Sequence, residues 1–310
     1  MAENNIKMDF DFETLESDIA VVVLTYNQES ILHECLESIL SQKLKMAKLI
    51  VYVIDDASTD GTRDVIDNFK NMNPGRVIPI LYEKNQYQRG YAPEFQILNK
   101  INSPFVSFCD GDDFWVDELK IEKQLEAFSN DQNLAIVHTD YYLGKRNDTY
   151  IEFIPRSIKE RGKADKIKSS FDLIQGNDIK KSTAVFRKSS INFDLIDNCK
   201  GIRAQDWVMA VGAGANGTIK YLDDPTTCYR LNDEAAFQTL SQREKVKIKD
   251  EVRWFCATNL SEGELRDAFR RFLIREEIRK ILSSSQIYRL IRPLFIFSRK
   301  IKSKLIEVIK

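Results

Sequence analysis

Four short runs of consecutive apolar residues set the plan of the chain: 19–24, 49–54, 77–82 and 105–109. Each is of strand length, rich in β-branched or aromatic residues and without polar alternation. That is the pattern of strands covered on both faces, as in a parallel sheet. Between them apolar residues recur at helical spacing. Ile31, Leu32, Cys35, Leu36, Ile39 and Leu40 follow the first run, Val65, Ile66 and Phe69 the second, and Phe95, Leu98 and Ile101 the third. Asn27 is placed to cap the first helix, and Asp60 with Gly61 marks a turn before the second. The order β-α-β-α-β-α-β predicts an α/β domain with a largely parallel sheet.

Beyond Asp117 the pattern predicts a helix to about Ser129, a strand over 134–142 and a polar loop with irregular pieces over 144–170. A short strand over 183–187 follows, then a helix opened by Gln205, Asp206 and Trp207. Two short strands, 219–222 and 227–231, lie either side of Pro225. From Glu234 the pattern is helical and heavily charged. The stretch 287–310 mixes aliphatic residues with Arg289, Arg292, Arg299, Lys300, Lys302 and Lys304 against one acid, Glu307. It predicts helices that dock on the domain or a partner subunit, or that rest peripherally on an anionic membrane surface.

Composition narrows the class. A chain of 310 residues with net charge -1, 43% hydrophobic and 30% charged, is an ordinary globular protein with no overall pull toward nucleic acid. Its five cysteines show no C-x-x-C spacing and read as reduced thiols of a cytoplasmic protein. Two histidines do not suggest a zinc site. Residues 1–17 are polar and acidic, unlike a signal peptide, and no apolar run is long enough to span a bilayer. Neither a G-x-G-x-x-G turn nor a P-loop is present, so a bound nucleotide would be held by acidic and polar side chains.

The chemistry gathers where the fourth apolar run stops, at Asp110, Gly111, Asp112 and Asp113. Crowded carboxylates at a strand end repel one another and call for a cation. In an extended chain, residues i and i+2 face the same way, so Asp110 and Asp112 can meet one ion. Oxygen ligands without His or Cys suit Mg²⁺ or Mn²⁺. The alternative is a solvated acidic turn that caps the next helix.

Residues 21–27, 53–62, 109–115 and 205–207 stand in the order seen in family 2 glycosyltransferases, which the chain resembles over roughly 18–232. The resemblance implies the GT-A fold, a Rossmann-like domain with a mostly parallel central sheet, here followed by a helical extension over 233–310. It implies inverting, metal-dependent transfer of a sugar from a nucleotide-sugar, a UDP-sugar favoured, to a saccharide or lipid-linked acceptor. Surface polysaccharide or glycoconjugate synthesis is the setting by analogy. It places Thr25, Asn27, Asp56, Asp110 and Arg230 around the donor nucleotide, with Asp56 on the base and Arg230 on phosphate. Asp110 and Asp112 become the D-x-D metal ligands, and Asp206 the catalytic base. Asp113, Trp115 and Gln205 are candidates for sugar or acceptor contact. Asp113 is otherwise a helix cap, Trp115 a core or rim aromatic, Asp206 an N-cap and Arg230 half of a surface ion pair. Asn232 stands where the family often has a histidine, so a third metal contact is not evident. Two rival readings are a catalytically silent nucleotide-sugar-binding module and a sugar nucleotidylyltransferase. The latter would need a Gly-rich, basic loop after the first strand, and residues 25–30 offer none.

Overall fold

The computed structural model describes residues 6–7, 16–146, 151–231 and 240–283. A short strand, β1 (Ile6–Lys7), precedes the four apolar runs. Those runs form β2 (Ile19–Thr25), β3 (Leu49–Asp55), β4 (Val77–Tyr82) and β5 (Phe105–Asp110). The remaining strands are β6 (Phe114–Trp115), β7 (Leu134–Arg146), β8 (Ile151–Pro155), β9 (Ala184–Arg187) and β10 (Thr218–Leu231). Among the described residues they make one sheet in the order β1-β4-β3-β2-β5-β9-β7-β10-β6, with β8 paired to β7. β4, β3, β2 and β5 are parallel, as are β7 and β10. β9 runs antiparallel between β5 and β7. The chain builds outward from β2 to β4, then returns to the other side of β2 with β5. Ligands of open α/β sheets bind at such a switch point, outside the carboxyl ends of the strands. Thr25, Asp55 and Asp110 are those ends.

β2 is the axis of the core, with Ile19, Ala20, Val21 and Val23 fully buried. Val21 and Val23 pack with Leu32, Cys35, Leu36 and Ile39 of α1 (Leu32–Leu40) and with Ile66 and Phe69 of α2 (Thr62–Met72). Phe95 of α3 (Pro93–Gln96) meets Phe108 of β5 edge to face, and Phe108 meets Phe186 of β9 in the same way. Each such buried side chain stabilises the fold by roughly 1.5–3 kcal/mol. The helices that follow are α4 (Lys120–Asn130), α5 (Ile158–Ala164), α6 (Phe193–Asn198) and α7 (Gln205–Gly214). α7 is apolar all round and buried from Trp207 to Gly214, as a helix enclosed by its domain should be. The last are α8 (Gln242–Asn259) and α9 (Glu264–Ser283).

The chain divides into two compact units, Met1–Val252 and Arg253–Lys310. In the second, the Arg253 guanidinium lies 4.5 Å from the centre of the Phe272 ring, and Arg270 Nε donates to the Ala257 carbonyl at 3.0 Å. The basic stretch 287–310 lies outside the described residues. Among those described, no helix is long and apolar enough to cross a membrane.

Several elements depart from the pattern. Asn27 does not cap α1, which begins at Leu32 behind Ile31 with no side-chain cap. The helix expected over Phe95, Leu98 and Ile101 closes after one turn, although Phe95, Leu98 and Ile101 are all buried. The two strands around Pro225 are one strand, β10, whose register on β7 shifts at Leu222, Pro225 and Thr227. Irregularities of this kind let a ladder pass a proline, which has no N–H to give. The supposed loop over 144–170 holds the end of β7, then β8 and α5. β8 is too exposed for an apolar pattern, whereas α5 had a visible signal: Ser157 and Glu160 form a capping box.

His138 on β7 is 1% exposed, and its Nε2 has no hydrogen-bond partner. Burial, with Arg156 and Lys168 adding to it, lowers its pKa to about 3. The unfolded chain therefore binds a proton that the folded chain refuses. This contribution is complete above pH 6.5 and is lost as pH falls from there toward 3. Acidifying from pH 7 to 5 should cost roughly 2 kcal/mol through this residue. Urea unfolding of wild type and His138→Leu at the two pH values checks it, the variant losing less by about that amount.

Candidate active site

The three strand ends are tied to one another by their loops. After β2, Asn27 adopts a left-handed backbone (φ 52°), donates its N–H to Ser58 Oγ at 2.9 Å, and accepts the Thr59 N–H on its side-chain oxygen at 2.8 Å. Asn is among the few residues that take this conformation readily. Thr25 is 1% exposed and hydrogen-bonds Gln28 at 2.8 Å, so it supports the turn from beneath. After β3, Asp55 is buried against Arg63 Nε at 2.7 Å. Asp56 is 2% exposed and accepts the N–H groups of Gln86 at 2.6 Å and Tyr87 at 3.1 Å. Burial raises its carboxyl above the usual range, and those two N–H groups oppose the rise. The expected base contact thus falls on a carboxylate already engaged with backbone. Asp56→Ala should strand the buried Gln86 N–H and the part-buried Tyr87 N–H and cost about 1–3 kcal/mol of stability, read by urea unfolding.

β5 ends pressed against β2. Gly111 donates its N–H to the Leu24 carbonyl at 2.8 Å, and a Cβ at Gly111 would collide with Gln28 Oε1 and lie 3.1 Å from Thr25 Cβ. A larger residue there would have to displace the Gln28 side chain and crowd Thr25. Asp112 carries no ion pair among the described residues, and burial, followed by the charge on Asp110, pushes its carboxyl up to about 6. Asp113 is 1% exposed. Its Oδ1 accepts the Arg230 N–H at 3.1 Å, while Oδ2 has no well-formed partner. Asp113 therefore joins β5 to β10 and does not cap α4, whose N-cap is Leu119. Burial, then Asp110 and Asp112, hold its carboxyl well above the usual range.

The surroundings of Trp115 correct one expected contact, and those of Arg230 show its guanidinium already paired. Trp115 is 4% exposed, gives its indole N–H to the Ser182 carbonyl at 3.0 Å, and has the buried Lys120 ammonium 4.2 Å from its ring centre. It is a core aromatic with no face left for a sugar. Arg230 is 8% exposed, pairs with Glu34, and donates to the Asp112 carbonyl at 3.0 Å. Its guanidinium braces the acidic turn.

Asp110 and Asp206 line one cavity of about 400 Å³. Asp206 lies in the first turn of α7 and is not its N-cap, which is Ala204. Its Oδ2 accepts from Asn177 Nδ2 at 3.5 Å. Burial raises its carboxyl above the usual range; Lys181 and the Trp207 N–H oppose this and Asp110 adds to it. Gln205, the preceding residue, holds the segment across the cavity, accepting from Ala92 N and donating to the Gly90 carbonyl, each at 3.1 Å. Glu94 and Lys181, which no motif marks, are also in the wall. Lys181 Nζ stands 2.7 Å from both Glu94 Oε1 and Asp110 Oδ1. Burial would lower the pKa of this ammonium, but Asp110 and Glu94 outweigh it and hold it well above the usual lysine range. Of the three carboxylates lining the cavity, Asp206 alone has no ion pair among the described residues.

A sequence model of the family described as Glycosyl transferase family 2 matches residues 20–194, more than half of the chain. The chain belongs to this family. It is similar to the uncharacterized protein Rv1520 of Mycobacterium tuberculosis, 28% identical over 217 residues that make up 68% of this chain and 58% of that protein. It is also similar to the Escherichia coli UDP-Glc:alpha-D-GlcNAc-diphosphoundecaprenol beta-1,3-glucosyltransferase WfaP, 32% identical over 128 residues, 41% of this chain and 47% of WfaP. The chain thus spans about half the length of the curated relatives it matches. Residues 1–349 of S. aureus TarS, solved with UDP-GlcNAc, share its fold with a TM-score of 0.59 and 20% identity, over 87% of this chain and 74% of that one. The chain has the α/β GT-A fold.

No cluster of three or more His, Cys, Asp or Glu side chains converges as a metal site among the described residues. The acidic turn still fits a hard divalent cation. Asp112 has no cation of its own, the Asp113 Oδ2 atom is without a well-formed partner, and the donors are all oxygen. Asn232 lies outside the described residues.

Proposed function

We propose that the chain transfers a sugar, with inversion, from a nucleotide-sugar to a hydroxyl of a saccharide or lipid-linked acceptor, with Mn²⁺ or Mg²⁺ as cofactor. The observation that carries this is the single cavity walled by Asp110 of the acidic turn and by Asp206 of α7. A UDP-sugar is the favoured donor: WfaP is named for UDP-Glc, and TarS was solved with UDP-GlcNAc. The lipid-linked alternative for the acceptor follows the diphosphoundecaprenol in the name of WfaP.

Asp206 acts as base. It takes the proton of the acceptor hydroxyl as that oxygen bonds to the anomeric carbon and the bond from that carbon to the diphosphate breaks. Its raised pKa brings it closer to that task than an ordinary aspartate, whereas Glu94 and Asp110 are ion-paired with Lys181 before any ligand enters. Asp110 and Asp112 would hold the metal, which when bound neutralises charge on the leaving diphosphate. Asp113, through the Arg230 N–H, keeps β10 against the turn that carries them. A hydrolysis and transfer screen of UDP-, GDP- and dTDP-sugars with Mn²⁺ or Mg²⁺ tests the reading. Turnover of one donor class supports it, and binding of a nucleotide-sugar without turnover of any would favour a silent binding module.

A further inference from the structure

Lys181 is a cation set into an acidic cavity wall. It leaves a one-turn 3₁₀ segment, Lys181–Thr183, directly ahead of β9. That segment is clamped: the Ser182 carbonyl accepts from the Trp115 indole and from the Thr227 hydroxyl at 3.2 Å, and Thr183 Oγ1 bonds the Lys180 carbonyl at 2.7 Å. The ammonium is therefore positioned before any ligand arrives. It has three N–H donors. One goes to Glu94 and one to Asp110, leaving the third for whatever enters the cavity.

The two partners differ. The Glu94 side chain is 5% exposed and its second oxygen has no hydrogen-bond partner. A buried carboxylate of this kind is bound to its cation, because separating them would leave a bare charge. The Asp110 side chain is 34% exposed and faces the cavity, so an anion entering there can replace it on the ammonium. Of the other cations in the cavity wall, Arg203 pairs with Glu251, the Lys180 ammonium lies 4.5 Å from the centre of the Tyr229 ring, and Lys249 has no carboxylate partner among the described residues, so Lys181 is the one held in place by two carboxylates. Lysine binds phosphate as a compact point charge.

We propose that Lys181 is a donor-binding residue: held by Glu94, its ammonium takes a phosphate oxygen of the nucleoside diphosphate in exchange for Asp110. The proposal rests on the glycosyltransferase reading above. It gives the leaving group a protein cation independent of any metal ion.

The test is calorimetry of the full chain with UDP, UMP and inorganic pyrophosphate, all in chelator, for wild type, Lys181→Met and Lys181→Arg. The expected result is measurable binding of UDP and pyrophosphate by wild type. Both should weaken about tenfold or more in Lys181→Met, while UMP weakens by less than about threefold and Lys181→Arg keeps most of the affinity. If Lys181→Met leaves Glu94 unpaired and the fold fails, the double variant Glu94→Gln with Lys181→Met removes both charges, and the same comparison decides. Unchanged UDP affinity, an equal loss for UDP and UMP, or no wild-type binding in chelator would overturn the proposal. A wild type that binds UDP only once Mn²⁺ is added loses this inference but keeps the reading it rests on. Failure to bind any nucleotide with Mn²⁺ would remove both.

Discussion

Asp206→Asn is expected to lower the transfer rate by about 10²–10⁴, the usual consequence of removing a general base, with nucleotide-sugar affinity nearly unchanged. Asp206 lines the cavity without an ion pair among the described residues, so the substitution breaks no salt bridge. The amide is close to isosteric, and the N-cap of α7 is Ala204, so the helix should keep its start. The pH dependence follows from the direction of the shift. The base works deprotonated, and burial holds its pKa above the usual carboxylate value. Turnover should therefore fall as pH drops through that raised value, on an acid limb that Asp206→Asn abolishes. Initial rates across pH, beside donor calorimetry, provide the check. A variant that keeps its rate and loses only thermal stability would make Asp206 a structural residue and leave the base to be found elsewhere.

Asp112→Ala is expected to abolish metal-stimulated turnover while the fold survives or becomes firmer. Asp112 lies within the field of Asp110 and is itself one of the charges that hold Asp113 well above the usual range. Removing one of three crowded carboxylates relieves repulsion that no ion pair to Asp112 offsets. The melting temperature should be equal to or above that of wild type, with loss of the rate response to added Mn²⁺ or Mg²⁺. Full wild-type activity in chelator, or an undiminished metal response in the variant, would remove Asp112 from the metal site.

What the sequence could and could not disclose follows from where each signal is stored. Strands β2 to β5 are buried on both faces, so their apolar runs are local and were readable to within about one residue. The acidic turn and the start of α7 were readable because their chemistry sits in consecutive residues. The bracing of the site was not. Glu94 and Lys181 become a pair only when α3 and the segment before β9 are brought to the same wall, and neither has a distinctive neighbourhood in the chain. Trp115 looked available for a sugar because sequence does not show that the Ser182 carbonyl and Lys120 enclose it. Asp56 follows directly on the end of β3, but its two backbone donors come from residues 86 and 87, whose approach is purely tertiary.

The placement of β10 bears on how the protein is born. Asp113 at the end of the acidic turn receives the N–H of Arg230, and β6 beside it pairs with β10 through Trp115 and Thr227. On a translating ribosome those partners do not yet exist when the turn emerges. The interval from Asp110 to Arg230 corresponds to about 6–24 s at roughly 5–20 residues per second. Through that window a nascent chain carries an unbraced cluster of acids and the unpaired edge of β7, a template for wrong pairing. Ribosome-bound chains stopped before β10 are thus expected to be clients of chaperones and unable to turn over a nucleotide-sugar, with activity appearing only after β10 has left the exit tunnel.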